Sequence, residues 1–298
     1  MLGWEKIRKL ITFERNVYVH NTLDKNGVKG RKTMNYCRNI FLTILGLIVF
    51  LFYRSDGLLA QNPNNEGKYS YACGGIVRSD RSLKTIALIF TGGDFYDGGE
   101  IILKILKERN IQATFFFTGD FYRNAGTQEL IPKLVQAGHY LGPHSDKHLL
   151  YCAWEKRDSL LVDRAQFQSD LLANYQEMKG FGIDEKHRYF MPAYEWYNDS
   201  VTVWAKQMGF TLINYSPGTI SCADYTIPSE SNYRSTAAIF QSILDYEKKD
   251  LNGLNGFFLL THIGTHPERT DKFYFRLGEL IDILISKGYR FVRIDEMF

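Results

Sequence analysis

Residues 69–298 predict an α/β domain, a barrel-type fold of about seven parallel strands, and three observations predict it. Short apolar runs of strand length alternate with amphipathic runs of helix length, the order expected when parallel strands are joined by crossover helices. The stretch is 230 residues long, within the range of one such barrel, and contains no internal repeat. The chain is 45% hydrophobic and 23% charged, which supplies a core and excludes a disordered tail, a coiled coil or a collagen-like repeat.

In order, a strand over 85–90 precedes a helix over 99–109, and a strand over 113–119 precedes a helix over 128–137. Strands over 139–143, 189–192 and 211–216 are followed by helices over 164–180, 199–208 and 234–248. A strand over 257–262, a helix over 273–287 and a last strand over 289–294 complete the series. Reactive groups in such folds sit at the C-terminal strand ends and in the loops beyond them. Those segments read TGGDF (91–95), GDF (119–121), HSDKH (144–148), AYEW (193–196), PGT (217–219) and IGTH (263–266), with His262 closing its strand.

Ahead of the domain, residues 1–39 hold nine Lys/Arg against three Asp/Glu, net +6 in a chain of net +3, so residues 40–298 carry net −3. No long basic face remains to neutralise phosphates, which excludes nucleic acid as a partner. The apolar run over 40–53 is about 14 residues, short of the roughly 20 that span a bilayer, so 34–60 reads as a signal peptide cleaved after Ala60, with an uncleaved N-terminal anchor as the alternative. Either way the basic flank stays in the cytoplasm and the rest is exported, periplasmic or secreted, touching a membrane only through that segment if it is uncleaved. Met34 opens a more ordinary signal peptide, so 1–33 reads as a leader upstream of the true start. Residues 61–68 read as a linker. Cys37, Cys73, Cys152 and Cys222 are too few and scattered for a disulfide scaffold and form no CxxC pair.

His144 and His148 stand four apart just after a strand, and one helical turn would put both imidazoles on the same side, able to share a divalent ion. Such a pair alone is more often a surface accident than a site. Neutral imidazoles suit zinc first, with cobalt, nickel or iron as alternatives, and an added carboxylate admits manganese.

Here the motifs resemble those of the NodB-like polysaccharide deacetylases, carbohydrate esterase family four. The order IALIFTGG, QATFFFTG, GHYLGPHSDKH, MPAY and LLTHIG is similar to that family's, with HSDKH matching its H-[ST]-x-x-H metal motif and LTH its late L-x-H. The resemblance implies a distorted (β/α) barrel, one divalent ion and an acetylated polysaccharide or oligosaccharide as substrate. The departures are equally specific. Where the family reads T-F-D-D-G, with a base and then a metal ligand, this chain has Thr91 and Gly92 in place of both carboxylates; Met191 replaces the Arg of R-P-P-[FY], and Gly218 stands where an Asp helps hold that Arg. An Arg without its carboxylate is costly to bury, so these losses read as one relay removed together.

Two nearby acids are candidates to compensate. Asp94 follows Gly92 and Gly93, whose freedom would let its carboxylate swing back to the ion; otherwise it caps the next helix. Glu195 follows MPAY at the pocket rim, or else is a solvated loop acid. The expected mechanism holds an ion on His144, His148 and Asp94. Glu195, or Asp94 if it does not ligate, takes a proton from water; the Tyr194 N–H stabilises the oxyanion, as the resemblance implies; and His262 protonates the leaving group. Leu260, matching the L of LxH, would line an acetyl-methyl pocket, and Tyr194, Trp196 and Tyr197 would stack on sugar or simply pack. Asp97 competes for the Asp94 role. His266 could touch substrate, while His20, His139 and His187 are incidental. The alternative from another class is an inactive glycan-binding protein on a deacetylase scaffold.

Overall fold

The computed structural model describes residues 67–184 and 188–298, all within one unit spanning Asn64–Phe298. The leader, the signal segment, most of the linker, Cys37, His20 and His187 lie outside the described residues.

The central strand β3 (Thr85–Gly92) is buried at every position, because helices cover one face and the barrel interior the other, which is why its sequence reads as an unbroken apolar run. On one edge it pairs in parallel with β4 (Thr114–Phe117), which pairs with β5 (Tyr140–Pro143), and on the other edge with β8 (Phe257–His262). Ile86 is paired with both Phe257 of β8 and Phe291 of β9 (Arg290–Phe291), so β9 lies on the β4 edge, below it. The strands β6 (Tyr189–Phe190) and β7 (Thr211–Leu212) form a separate parallel pair. One backbone hydrogen bond on each side joins this pair to the main sheet, Met191 N–H to Pro143 O at 3.2 Å and Ser216 N–H to Phe258 O at 3.0 Å, each backed by a side-chain bond, Tyr189 N–H to Tyr140 OH and Phe258 N–H to Ser216 Oγ, both at 2.9 Å. All seven expected strands are present, distributed as five and two rather than as one continuous sheet.

An antiparallel hairpin that the sequence reading did not anticipate, β1 (Ser70–Ala72) and β2 (Gly75–Arg78), turns through Cys73 and Gly74, both with positive φ as a two-residue hairpin turn requires. It braces the β7 side, where Asn214 N–H donates to Ile76 O.

The helices are α1 (Gly99–Glu108), a short α2 (Gly119–Arg123), α3 (Leu130–Gln136), α4 (Arg164–Lys179), α5 (Asp199–Gln207), α6 (Thr236–Lys249) and α7 (Leu277–Ser286). The starts of α4, α5 and α6 follow capping chemistry: Asp163 and Gln166 form a capping box, Asn198 accepts from Val201 N–H and Ser235 from Ala238 N–H. The helix expected over 273–287 opens with a 3-10 turn, Phe273–Arg276. Among the described residues no helix is long and apolar enough to cross a membrane.

Strand alternation sorts the core into two layers. Ile86, Leu88 and Phe90 of β3 face the helices with Leu259 of β8, whereas Ala87, Ile89, Phe258 and Leu260 fill the interior with Phe116, Met191, Ile213 and Ile294. His262 continues the inward series Phe258, Leu260, and therefore emerges at the mouth where the interior opens.

Candidate active site

A cleft of about 730 Å³ opens at the C-terminal ends of the strands, lined among others by Thr91, His144, His148, Glu195 and His262. Sequence-distant groups converge there because parallel strands deliver all their C-terminal ends to one face.

The HSDKH segment is a bent loop, not the helical turn expected: Ser145 and His148 have φ of 74° and 52°. What holds it is α4. Asn174, fully buried, accepts from His144 N–H at 2.7 Å, and one turn earlier Asp170 accepts from Asp146 and Lys147 N–H at 3.1 Å and from Tyr151 OH at 2.8 Å. Asp146 is tied to Arg123 at 2.7 Å. The two imidazoles lie 5.2 Å apart, centroid to centroid.

His144 Nδ1 is 2.9 Å from Met191 O, and since a carbonyl only accepts, Nδ1 carries the hydrogen and Nε2 keeps its lone pair. Burial and the neighbouring His148 ring hold His144 well below the ordinary histidine range, and burial pushes His148 down to about 4. Both rings are neutral at neutral pH. Such a pair, one member oriented by a carbonyl behind it, suits a divalent ion.

The third expected donor does not join them. Asp94 is exposed at the cleft mouth, its charge felt by His148, and among the described residues no three His, Cys, Asp or Glu side chains converge closely enough to hold an ion. Gly92 does not serve to swing Asp94 inward. It is glycine because a Cβ there would stand 2.7 Å from Ile263 Cγ2 and 2.9 Å from the Phe117 and Phe121 rings. Beside it Thr91 buries a hydroxyl with no hydrogen-bond partner among the described residues. Asp97 is also unavailable as a ligand, since it accepts from Thr265 N–H, Lys272 Nζ and Tyr274 OH, each at 2.8 Å. Gly218 has φ +118° and its missing Cβ is replaced by the Tyr246 ring at 2.1 Å, while Met191 is fully buried in the interior layer. A side chain at 218 would have to displace the Tyr246 ring, and the buried methionine at 191 offers no charge for a carboxylate to meet.

Glu195 is the acid at the centre. It ends a 3-10 turn, Ala193–Glu195, in which Tyr194 and Glu195 both have left-handed backbones, φ 58° and 52°, at a cost of about 1–3 kcal/mol for each non-glycine residue. Asn214 Nδ2 donates to Glu195 O at 2.7 Å and secures the turn. The carboxylate lies 3.8 Å from His144 Nε2. Burial pushes it up to about 7, the charge of His262 pulling the other way.

His262 is set by a residue the sequence reading missed. Asp224, buried in the 3-10 turn Ser221–Tyr225, accepts from His262 N–H at 2.9 Å and meets Nδ1 at 2.6 Å. Burial opposes charge on the ring, but the Asp224 carboxylate outweighs it and holds His262 above its ordinary value. Asp224 had one signal in the sequence: it is the sole charged residue from 207 to 229.

Of the expected sugar contacts, Tyr194 lines the cleft with its ring 4.2 Å from His148. Trp196 does not; it lies behind Trp154, donating Nε1–H to Ala153 O at 3.2 Å, and Trp154 takes the lining position. Tyr197 is buried and bonded to Ala72 O. Leu260 is fully buried one layer beneath His262, so it belongs to the interior and not to an acetyl pocket. His266 is at the cleft, edge-on to Phe95.

Residues 78–213 match the family model described as polysaccharide deacetylase. The peptidoglycan-N-acetylmuramic acid deacetylase PdaA of Bacillus subtilis is 23% identical over 216 residues, covering 72% of this chain and 71% of that protein. A solved peptidoglycan N-acetylglucosamine deacetylase superposes with TM-score 0.61 at 21% identity, over 78% of this chain and 95% of the other. A CE4 family pseudoenzyme of Bacillus anthracis superposes with TM-score 0.60 at 19% identity, over 76% and 69%. Motif order, the family match over residues 78–213 and the fold of the solved neighbours agree, and this chain is similar to the polysaccharide deacetylases of the NodB-like type, departing from their pattern in its first, third and fourth motifs.

Proposed function

We propose that this protein is a hydrolase that removes N- or O-linked acetyl groups from a glycan outside the cytoplasm. One observation carries the reading: a largely enclosed Glu195 carboxyl, brought near neutrality, shares a cleft with a His262 ring whose affinity for a proton Asp224 raises. A base poised near the working pH and an acid held protonated are what acyl hydrolysis needs on the two sides of its carbonyl.

Glu195 takes a proton from a water as its oxygen bonds to the acetyl carbon. The tetrahedral adduct then collapses, His262 gives its proton to the departing amine or hydroxyl, and acetate is released. The Tyr194 N–H serves the developing oxyanion. A divalent ion, held by His144 and His148, would supply polarisation of the acetyl carbonyl. The basic residues followed by the apolar run over 40–53 support export.

The test is acetate release by the purified protein from N-acetylated chito-oligosaccharide, peptidoglycan and acetylated xylan, with bound metal measured alongside. Release is expected, falling at least about 100-fold in Glu195→Gln and His262→Ala. The lack of a carboxylate at position 92 and the crowding around it favour one second reading, a glycan-binding protein without activity; retained sugar binding with no acetate from any substrate would establish it. A mature N-terminus at Gln61 is the expected result for export, and an unprocessed one would make the segment an anchor.

A further inference from the structure

Between β5 and α4 the chain makes an irregular loop over 148–163 that the family resemblance did not explain. It is closed on itself by Ala153 N–H to Ser159 O and Leu161 N–H to Tyr151 O, both 2.9 Å. At its tip Trp154 is 51% exposed, a large apolar ring left in water at the cleft mouth. It is packed from behind and from the side. Trp196 lies 5.4 Å behind it at 34°, the Arg157 guanidinium sits 3.6 Å from the Trp196 ring centre, and Tyr194 meets Trp154 edge-on at 5.6 Å. A braced indole with one open face is a ready platform for an apolar surface, and the C–H face of a pyranose ring is such a surface.

The charges at the same mouth add a second constraint. Asp94 and Glu230 both line it, both are exposed, and neither has an ion-pair partner among the described residues. Glu230 is held in place by Ile227 N–H at 3.2 Å. The lysine at the mouth, Lys147, is already engaged by Asp120 at 2.5 Å and Asp146 at 3.8 Å, and the charge of His262 is matched by Asp224. Apart from an ion on His144 and His148 at the cleft floor, the uncompensated side-chain charges that an incoming chain meets at the mouth are those of Asp94 and Glu230, both negative.

We propose that the cleft takes an uncharged glycan, stacked on Trp154, and that Asp94 and Glu230 turn away glycans bearing carboxylates. This rests on the glycan-hydrolase reading above and narrows its substrate. A carboxylate on the sugar would approach two like charges through solvent, an interaction that weakens as salt shortens its reach from about 30 Å at 0.01 M to under about 10 Å above 0.1 M.

The experiment compares equilibrium binding of two glycans of equal length by the whole protein: fully N-acetylated chito-oligosaccharide, and a peptidoglycan strand in which alternate sugars carry a lactyl carboxylate. At low salt the uncharged chain should bind about tenfold more tightly, and the gap should close to within about threefold at high salt and in Asp94→Asn/Glu230→Gln. Trp154→Ala should weaken the uncharged chain about tenfold and Trp154→Phe should restore most of it, with unchanged thermal unfolding. Equal binding of the two glycans at low salt, a gap unaltered in the double variant, or no binding of either overturns the inference. Acetate release is followed in the same samples: the binding preference without release would sink the hydrolase reading and leave this one standing.

Discussion

His139 and His262 stand at opposite ends of parallel strands, one just before β5 begins and one where β8 ends, and the same side chain has become two different things. At the far end His139 is buried, its Nδ1 accepts from Ala113 N–H at 3.0 Å and its ring lies edge-on to Phe115 at 5.2 Å; burial, with Arg293 nearby, pushes it down to about 4. It is a neutral structural piece. At the cleft end His262 is partly buried, and Asp224 lifts it. Burial alone discharges an imidazole; burial beside a buried carboxylate makes it an acid. The difference between the ends lies in the neighbours, Asp224 first and Glu195 after it, not in the histidine.

If placement governs the cleft end, restoring the family's residue without its surroundings should fail, and this is where the largest effect is expected. Gly92→Asp must force a side chain among Ile263, Phe117 and Phe121 and bury a charge, costing about 3–5 kcal/mol in denaturant unfolding with no gain in acetate release. A stable and more active Gly92→Asp would break the comparison. Next is Asp224→Asn, which keeps the shape and removes the charge, leaving only Glu195 to favour the ring's charge against burial and Arg269. Because the acid must be protonated and is lost as pH rises through its pKa, the alkaline limb of the rate profile should move to lower pH, with about a 10- to 100-fold loss above neutrality. An unmoved limb would mean that His262 does not act as the acid. The smallest effect sharpens the other side. With a folded value near 4 against about 6.5 unfolded, the neutral His139 supports the fold fully above pH 6.5 and that support drains as pH falls towards 4, about 3 kcal/mol in all. In His139→Asn, which keeps an acceptor for Ala113 N–H, the fall in unfolding free energy over that window should flatten.

Much of this was legible in the sequence, and the parts that were not share a cause. Strands announce themselves by apolar runs, so all seven were found, although 189–192, 211–216 and 289–294 shrank to two residues each because their neighbours pair only briefly. His144, His148, Glu195 and His262 were found because they end strands or follow them. Asp224 escaped because it lies on a 3-10 turn 38 residues from the ring it holds, and Asn174 and Asp170 because polar residues on a buried helix face read as solvent-facing. Asp94 was misread through Gly92: glycine there signals crowding rather than a hinge. Trp196 was chosen and Trp154 overlooked, since which of two neighbouring indoles stands in front is decided by the 148–163 loop, whose course no periodicity records.

The pair β6–β7, joined to its neighbours on either side by few hydrogen bonds, has a consequence for the reaction. Glu195 rides just beyond that thin-walled panel, whereas β3 is laced along both edges. Local opening costs least where the lattice is sparsest, so the acid proposed above as proton acceptor is carried by the less densely bonded wall of the cleft, opposite the strand that is bonded along both edges.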